Sequence, residues 1–209
     1  MNNNKFTERQ IQIIEAATKR IDEHGIQDLT IKTLAADLNL SEAALYRHFK
    51  SKNEILLGLL TYFIEEMKER LGLILSNKDR SPSELLKDLF DSQLKTFVKK
   101  PSVVSVIFSE GIFQFNKELS STVSSMMELM QNHIEDIVKK GQANDSFSKI
   151  VGVSITTTII MGGMRITVLK WKLSGHNSDL IKDGNKVLSG ILKMIETKFV
   201  MSVKKTPEA

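Results

Sequence analysis

The stretch Ser41-Glu42-Ala43-Ala44-Leu45-Tyr46-Arg47-His48-Phe49-Lys50-Ser51-Lys52 concentrates side chains suited to anionic oxygen. Hydroxyls on Ser41 and Tyr46, the His48 imidazole, and the cations of Arg47 and Lys52 are donors of the kind that meet phosphate. A helix opening at Ser41 adds its own unsatisfied N–H groups. Between Ala43 and Asn53 there are three cations and His48, and no acid. Residues 1–52 as a whole hold eight cations against seven acids, a balance of +1. Affinity for nucleic acid therefore rests on placement, since bulk charge supplies little. Leu45 and Phe49, four apart, anchor one face of the helix. Ser41, Glu42, Ala43, Tyr46, Arg47 and His48 are left for the other faces. Glu42 has two readings. It is a solvated first-turn acid that favours the helix dipole, or it accepts from a cytosine amino group.

Other chemistries lack their residues. The chain has no cysteine, which excludes disulfides, thiolate nucleophiles and thiolate metal sites and fits a reducing, cytoplasmic setting. His24, His48, His133 and His176 show no ligand or catalytic spacing, and there is no glycine-rich phosphate loop. The expectation is a protein that is not an enzyme, with no metal and no cofactor. The longest mostly apolar uncharged run, 150–164, falls short of the roughly 18 residues a membrane span needs, so no membrane partner is expected. The N-terminal residues lack the apolar core of a secretory signal.

The elements that must position these groups are helical. With 209 residues, three prolines and no sustained period-two alternation, the chain is expected to be all-α. Thr7 caps a first helix whose apolar Ile11, Ile14, Ala17 and Ile21 recur at helical spacing, with Gly25 closing it. Thr30 caps a short second helix. Asn39-Leu40 turns the chain, and Ser41 opens a third helix reaching Phe49. A fourth runs from Ser51 to about Leu75, a fifth starts at Ser81-Pro82, and a sixth covers 103–108. The seventh spans 117–140 and ends at Gly141, the eighth 146–174, the ninth 178–203. The expected divisions are 1–52, 53–203, and a disordered tail at 204–209.

Two features of the later helices bear on function. Phe108, Phe113, Met127, Met130, Met161 and Met164 could line an apolar cavity in a helix bundle, methionine being adaptable. Arg165, inside an apolar stretch, needs a partner: Glu110, Asp136 or an anionic ligand. Gly152 and Gly162 permit close helix approach, and Leu188, Ile191 and Ile195 supply an apolar stripe for a symmetric pairing of chains.

Gly25, Thr30, Leu34-Ala35 and the run from Ser41 through Leu45-Tyr46-Arg47-His48-Phe49-Lys50-Ser51-Lys52 to Glu54 and Leu56 resemble the signature of TetR-family repressors over about residues 9–60. The resemblance implies a three-helix helix-turn-helix domain on a six-helix ligand-binding and dimerisation domain. It implies that Thr30, Ser41, Tyr46, His48 and Lys52 contact phosphates, and that Thr33, Glu42, Ala43 and Arg47 lie nearest the bases or groove walls. It implies a homodimer that binds a palindromic operator in double-stranded DNA and responds to a small-molecule effector. The alternative is a DNA-bound regulator of the same fold that acts through a protein partner.

Overall fold

The computed structural model describes residues 5–109 and 116–197. Among them are nine helices and no strand: α1 (Glu8–His24), α2 (Ile31–Asp37), α3 (Glu42–Tyr46), α4 (Lys52–Leu75), α5 (Pro82–Lys99), α6 (Pro101–Ile107), α7 (Lys117–Ala143), α8 (Val153–Leu173) and α9 (Leu180–Ile195). The all-α expectation holds, with a helix-turn-helix at the N-terminus and a helical region after it. The chain divides into two compact units, Met1–Lys68 with Lys99–Met126, and Glu69–Val98 with Met127–Ala209.

In the first unit, local caps fix the short helices. Thr7 accepts from the Gln10 N–H at 3.2 Å while Gln10 accepts from the Thr7 N–H at 3.0 Å, a reciprocal capping box. Thr30 and Thr33 repeat the device on α2. Gly25 ends α1 with φ +81°, a conformation that favours glycine. Ile13, Ile14, Ala17 and Ile21 of α1 are buried together with Leu34, Ala35, Leu45 and Phe49. Each fully buried Ile or Leu contributes on the order of 1.5–3 kcal/mol. α6 packs on α1 and buries Val103, Val104 and Val106.

The second unit rests on close approaches between distant segments. α8 and α9 pack along each other, and a Cβ on Gly163 would lie 3.0 Å from Ile191 Cδ1. A Cβ on Gly184 would lie 2.2 Å from Leu94 Cδ1, so α9 can meet α5 there only with glycine. The Arg70 guanidinium donates to Ser92 Oγ at 2.6 Å and to Gln93 Oε1 at 2.9 Å, and Gln93 is buried.

Several boundaries differ from the sequence expectation. α3 stops at Tyr46, not Phe49, because Arg47 is its C-cap and the chain then tightens, His48 N–H donating to Leu45 O at 2.9 Å. α7 runs through Gly141 to Ala143; the glycine makes room for the Phe147 ring, which a Cβ would meet at 2.2 Å. α8 begins at Val153, not at residue 146. The intervening segment is held by a backbone bridge between Phe147 and Glu196 and by Gln142 Nε2, which donates to Ser148 O at 2.9 Å and Val151 O at 2.8 Å. α9 starts on its Asp179 cap and gives way at Glu196, whose extended backbone carries that bridge. The tail at 204–209 and Phe113 lie outside the described residues.

Candidate nucleic-acid interface

The turn between α2 and α3 sets the aim of α3. Leu38 leaves the helix at φ −92°, and Asn39 takes φ +52°, a left-handed conformation that asparagine tolerates. Asn39 N–H then donates to Ala36 O at 3.1 Å and Leu40 N–H to Ala35 O at 2.9 Å, so no donor of the turn is wasted. Ser41 caps α3, its Oγ accepting from Ala44 N–H at 3.1 Å while its own O–H can donate outward.

Leu45 is fully buried and Phe49 is 4% exposed. The Phe49 ring lies against Gly58 of α4, where a Cβ would stand 3.1 Å from Cε1, and Ile14 of α1 closes on the same glycine. Phe49 thus pins the end of the α3 segment to two other helices. With one face anchored, Ser41, Glu42, Ala43, Tyr46 and Arg47 are exposed, Tyr46 by 47%, and His48 is half-buried. Of the residues that the motif assigned to the outer faces, five are therefore exposed and His48 is partly covered.

Three other assigned residues are placed differently. The Thr33 hydroxyl donates to Asp28 O at 2.9 Å and accepts from Thr30 N–H at 3.0 Å. Thr30 Oγ1 accepts from Thr33 N–H at 3.0 Å and lies 2.9 Å from Thr33 Oγ1. Both threonines face one another as caps. The Lys52 ammonium donates to Ile26 O at 2.7 Å, and its desolvation holds it below the usual lysine range.

Residues to which the motif gave no DNA contact hold the first helices together. Arg20, with a side chain 16% exposed, pairs with Asp37 at 2.8 Å and Asp28 at 3.0 Å, tying α1 to the end of α2 and to the connection between them. Gln10 Nε2 donates to His48 O at 3.4 Å. Lys50 N–H donates to the Glu54 carboxylate, and Glu54 N–H donates to Ser51 Oγ at 3.2 Å, which fixes the start of α4. Only the last pair, a Ser-x-x-Glu spacing, has a sequence signature.

The residues assigned to a cavity differ in burial. Met130 and Met164 are buried, Phe108 and Met161 half-buried, and Met127 is 38% exposed. Arg165 lies on the exposed side of α8. Described residues form one cleft of about 460 Å³ bordered by Glu15, Asp22, Tyr62 and Lys100, and another of about 360 Å³ bordered by Pro82, Leu85, Ile137 and Lys140. Neither is lined by these residues. No group of His, Asp or Glu among the described residues is arranged to hold a metal. Of the residues assigned to chain pairing, Gly152 and Gly162 are exposed with open space at Cβ, and Ile195 is half-buried. Leu188 and Ile191 face the chain's own core. The outward apolar residues are Ile155, Ile159, Ile166 and Leu173 on α8 and Met194 on α9.

A capped two-helix turn presenting a short polar helix, followed by a long all-helical region, defines a helix-turn-helix regulator. The chain belongs to the TetR family: residues 13–59 match bacterial regulatory proteins of the tetR family, and residues 58–203 match the C-terminal region of YsiA-like proteins. It is 23% identical over 192 residues to the fatty acid metabolism regulator protein of Bacillus subtilis, covering 90% of this chain and 96% of that protein. It is 26% identical over 132 residues to the nucleoid occlusion factor SlmA of Shewanella pealeana, covering 63% of this chain and 66% of that factor, just under two thirds of its length. The fold is shared with a crystal structure of the regulator FadR from Bacillus subtilis in complex with stearoyl-CoA, at a TM-score of 0.71 and 23% identity over 87% of this chain and 97% of that one. Among the described residues no helix is long and apolar enough to cross a membrane.

Proposed function

We propose that this protein is a transcriptional repressor that binds a palindromic operator as a homodimer and is released by a small-molecule effector. The observation that carries the reading is the exposed row of α3, Glu42, Ala43, Tyr46 and Arg47, beside the Ser41 cap and held from behind by Leu45 and Phe49. A helix with small residues at its start can approach base edges. Ser41, Tyr46 and His48 meet phosphates, and Thr30 joins them by turning its hydroxyl outward. Glu42, Ala43 and Arg47 face the groove, and Thr33 contributes through the cap it shares with Thr30. Residues 1–52 act as the DNA-binding part and 53–203 as the sensing and pairing part.

The exposed Ile155, Ile159 and Ile166 with Gly162 between them support pairing through α8, with Gly152 at its start and Met194 and Ile195 of α9 beside it. Two copies are required because each presents a single α3, and a palindrome has two half-sites. α4 is continuous from Lys52 to Leu75 and is the element through which an effector acts on the head. The effector must bind the released state more tightly than the DNA-bound one. The similarity to regulators of fatty acid metabolism makes an acyl-CoA thioester the first effector class to test.

The test is selection from random duplexes with the full chain, followed by titration with stearoyl-CoA and with free coenzyme A at one stated salt concentration. The expected result is an enriched inverted repeat, released by stearoyl-CoA and retained with coenzyme A. Enrichment of no sequence would overturn the reading. The match to a nucleoid occlusion factor supports a second reading, action through a protein partner. An operator complex insensitive to acyl-CoA that retains a second protein would favour it.

A further inference from the structure

We propose that Arg20 is a positioning residue for operator binding: it holds the Asp28 carboxylate and so leaves the Lys52 ammonium to DNA phosphate. The proposal rests on the operator-binding reading above, with Lys52 as one of the cations that meet the duplex.

The geometry centres on residues 25–30, the connection between α1 and α2. Lys52 Nζ donates to Ile26 O at 2.7 Å. An ammonium has three N–H donors, so this bond orients Lys52 and leaves two. Two residues further along the same connection, the Asp28 carboxylate lies 3.0 Å from the Arg20 guanidinium. Asp28 O accepts from the Thr33 hydroxyl at 2.9 Å, so the backbone that carries this carboxylate is held in place. The other arm of the Arg20 fork reaches both Asp37 oxygens, at 2.9 and 2.8 Å. Arg20 is thereby the shared partner of two acids, a task that the planar fork of a guanidinium suits.

Asp28 is also close enough to Lys52 for its charge to act there. Burial lowers the Lys52 pKa, and the Asp28 charge opposes that by raising it. Arg20, Lys52, Asp28 and Asp37 thus form a set of two cations and two carboxylates, and their pairing decides what DNA meets. As built, Arg20 carries both acids and Lys52 takes only a neutral carbonyl. Without Arg20, Asp28 is left with Lys52 as its cation. Phosphate must then displace a carboxylate from Lys52, and the contact no longer releases a counterion. A brace alone would act otherwise, since its loss weakens the fit of α2 and α3 to the same degree at every salt concentration.

Salt dependence tells the two roles apart, because each phosphate neutralised by a side chain steepens the slope of log affinity against log salt by about 0.9. The experiment measures affinity for the selected operator between about 50 and 200 mM salt. It uses the wild-type chain, Arg20→Met, Asp28→Asn and the two combined. Arg20→Met is expected to bind more weakly, with a slope shallower by about 0.9, so that its loss is about threefold greater at the low end of that range. The double variant is expected to regain the wild-type slope, although the bond to Asp37 stays lost. Lys52→Met should flatten the wild-type slope by the same amount and the Arg20→Met slope no further. An unchanged slope in Arg20→Met overturns the proposal and leaves Arg20 a brace. A shallow slope that Asp28→Asn does not restore also overturns it and makes Arg20 itself the phosphate contact. Asp28→Asn alone gives an answer even if Arg20→Met folds poorly. Arg20 already holds that carboxylate, so the wild-type slope is expected. A slope steeper by about 0.9 would place Asp28 on Lys52 in the wild type and overturn the proposal. Wild-type protein that binds no duplex overturns the operator reading instead, a result seen before any variant is compared.

Discussion

The head and the second unit both carry local caps, Asp179 on α9 among them, but the second also depends on close packing between distant segments. In the head, Thr7, Thr30 and Ser41 each cap a helix through a partner three residues away. In the second unit the segment between α7 and α8 is held by Glu196, beyond α9, and Gly184 of α9 is required by Leu94 of α5. Short-range specification fixes the helix starts of the first unit through neighbours in the chain. Long-range specification gives a second unit whose shape depends on distant segments agreeing.

The strongest way to break this contrast is Phe49→Ala. Phe49 is a non-local apolar anchor of the α3 segment, seated on Gly58 and 4% exposed. Its loss should cost about 3–5 kcal/mol in denaturant unfolding and abolish operator binding. A cost under about 1 kcal/mol would mean that the caps alone hold the head.

Gly141→Ala probes the other side. A methyl there meets the Phe147 ring at 2.2 Å, and overpacking of this kind costs about 1–3 kcal/mol. Alanine also gains up to about 1 kcal/mol of helix propensity inside α7. The expected net result is a lower melting temperature. A raised one would show that the Phe147 segment yields freely. Ser41→Ala removes a local cap and should cost about 1 kcal/mol, with a larger effect on operator affinity than on the melt. Equal effects on the two would place the Ser41 hydroxyl in folding alone.

These cases also mark what was legible in the sequence. The three caps, the Asn39 turn and the Leu45–Phe49 pair depend on spacings of three and four, and a linear reading finds them. The Arg20–Asp37 pair, the Lys52–Ile26 bond and the fit of Gly58 under Phe49 join residues that only the fold brings together. The exposure of Arg165 was hidden for a different reason. α8 carries apolar residues on both faces, Ile160, Met164 and Val168 inward and Ile155, Ile159 and Ile166 outward. Mean hydropathy over that run therefore hides the phase that turns Arg165 to solvent. Gly141 looked like a helix terminator because glycine is common at helix ends, whereas Phe147 packing explains it here.

The smallest expected effect is pH-dependent and confined to the second unit. His176 stacks on Trp171 with ring centroids 4.1 Å apart. Desolvation and the Lys172 charge hold its pKa below the ordinary value of 6.5. The unfolded chain then takes up the proton first, so stability falls as the pH is lowered through about 6.5. The side chain is exposed, so the change is slight. In His176→Gln this part of the pH dependence should vanish from thermal melts recorded between pH 5 and 7.5. An unchanged profile would assign it elsewhere.

The central claim is that two copies of a short, locally built helix meet DNA together. Hydroxyl-radical footprinting of the selected operator, with the number of bound chains counted by sedimentation, tests it most directly. The account predicts an even number of chains and two symmetric protected patches whose centres lie about 34–36 Å apart, or a multiple of that spacing. One chain on a single patch, or a duplex left unprotected at low salt, would contradict it.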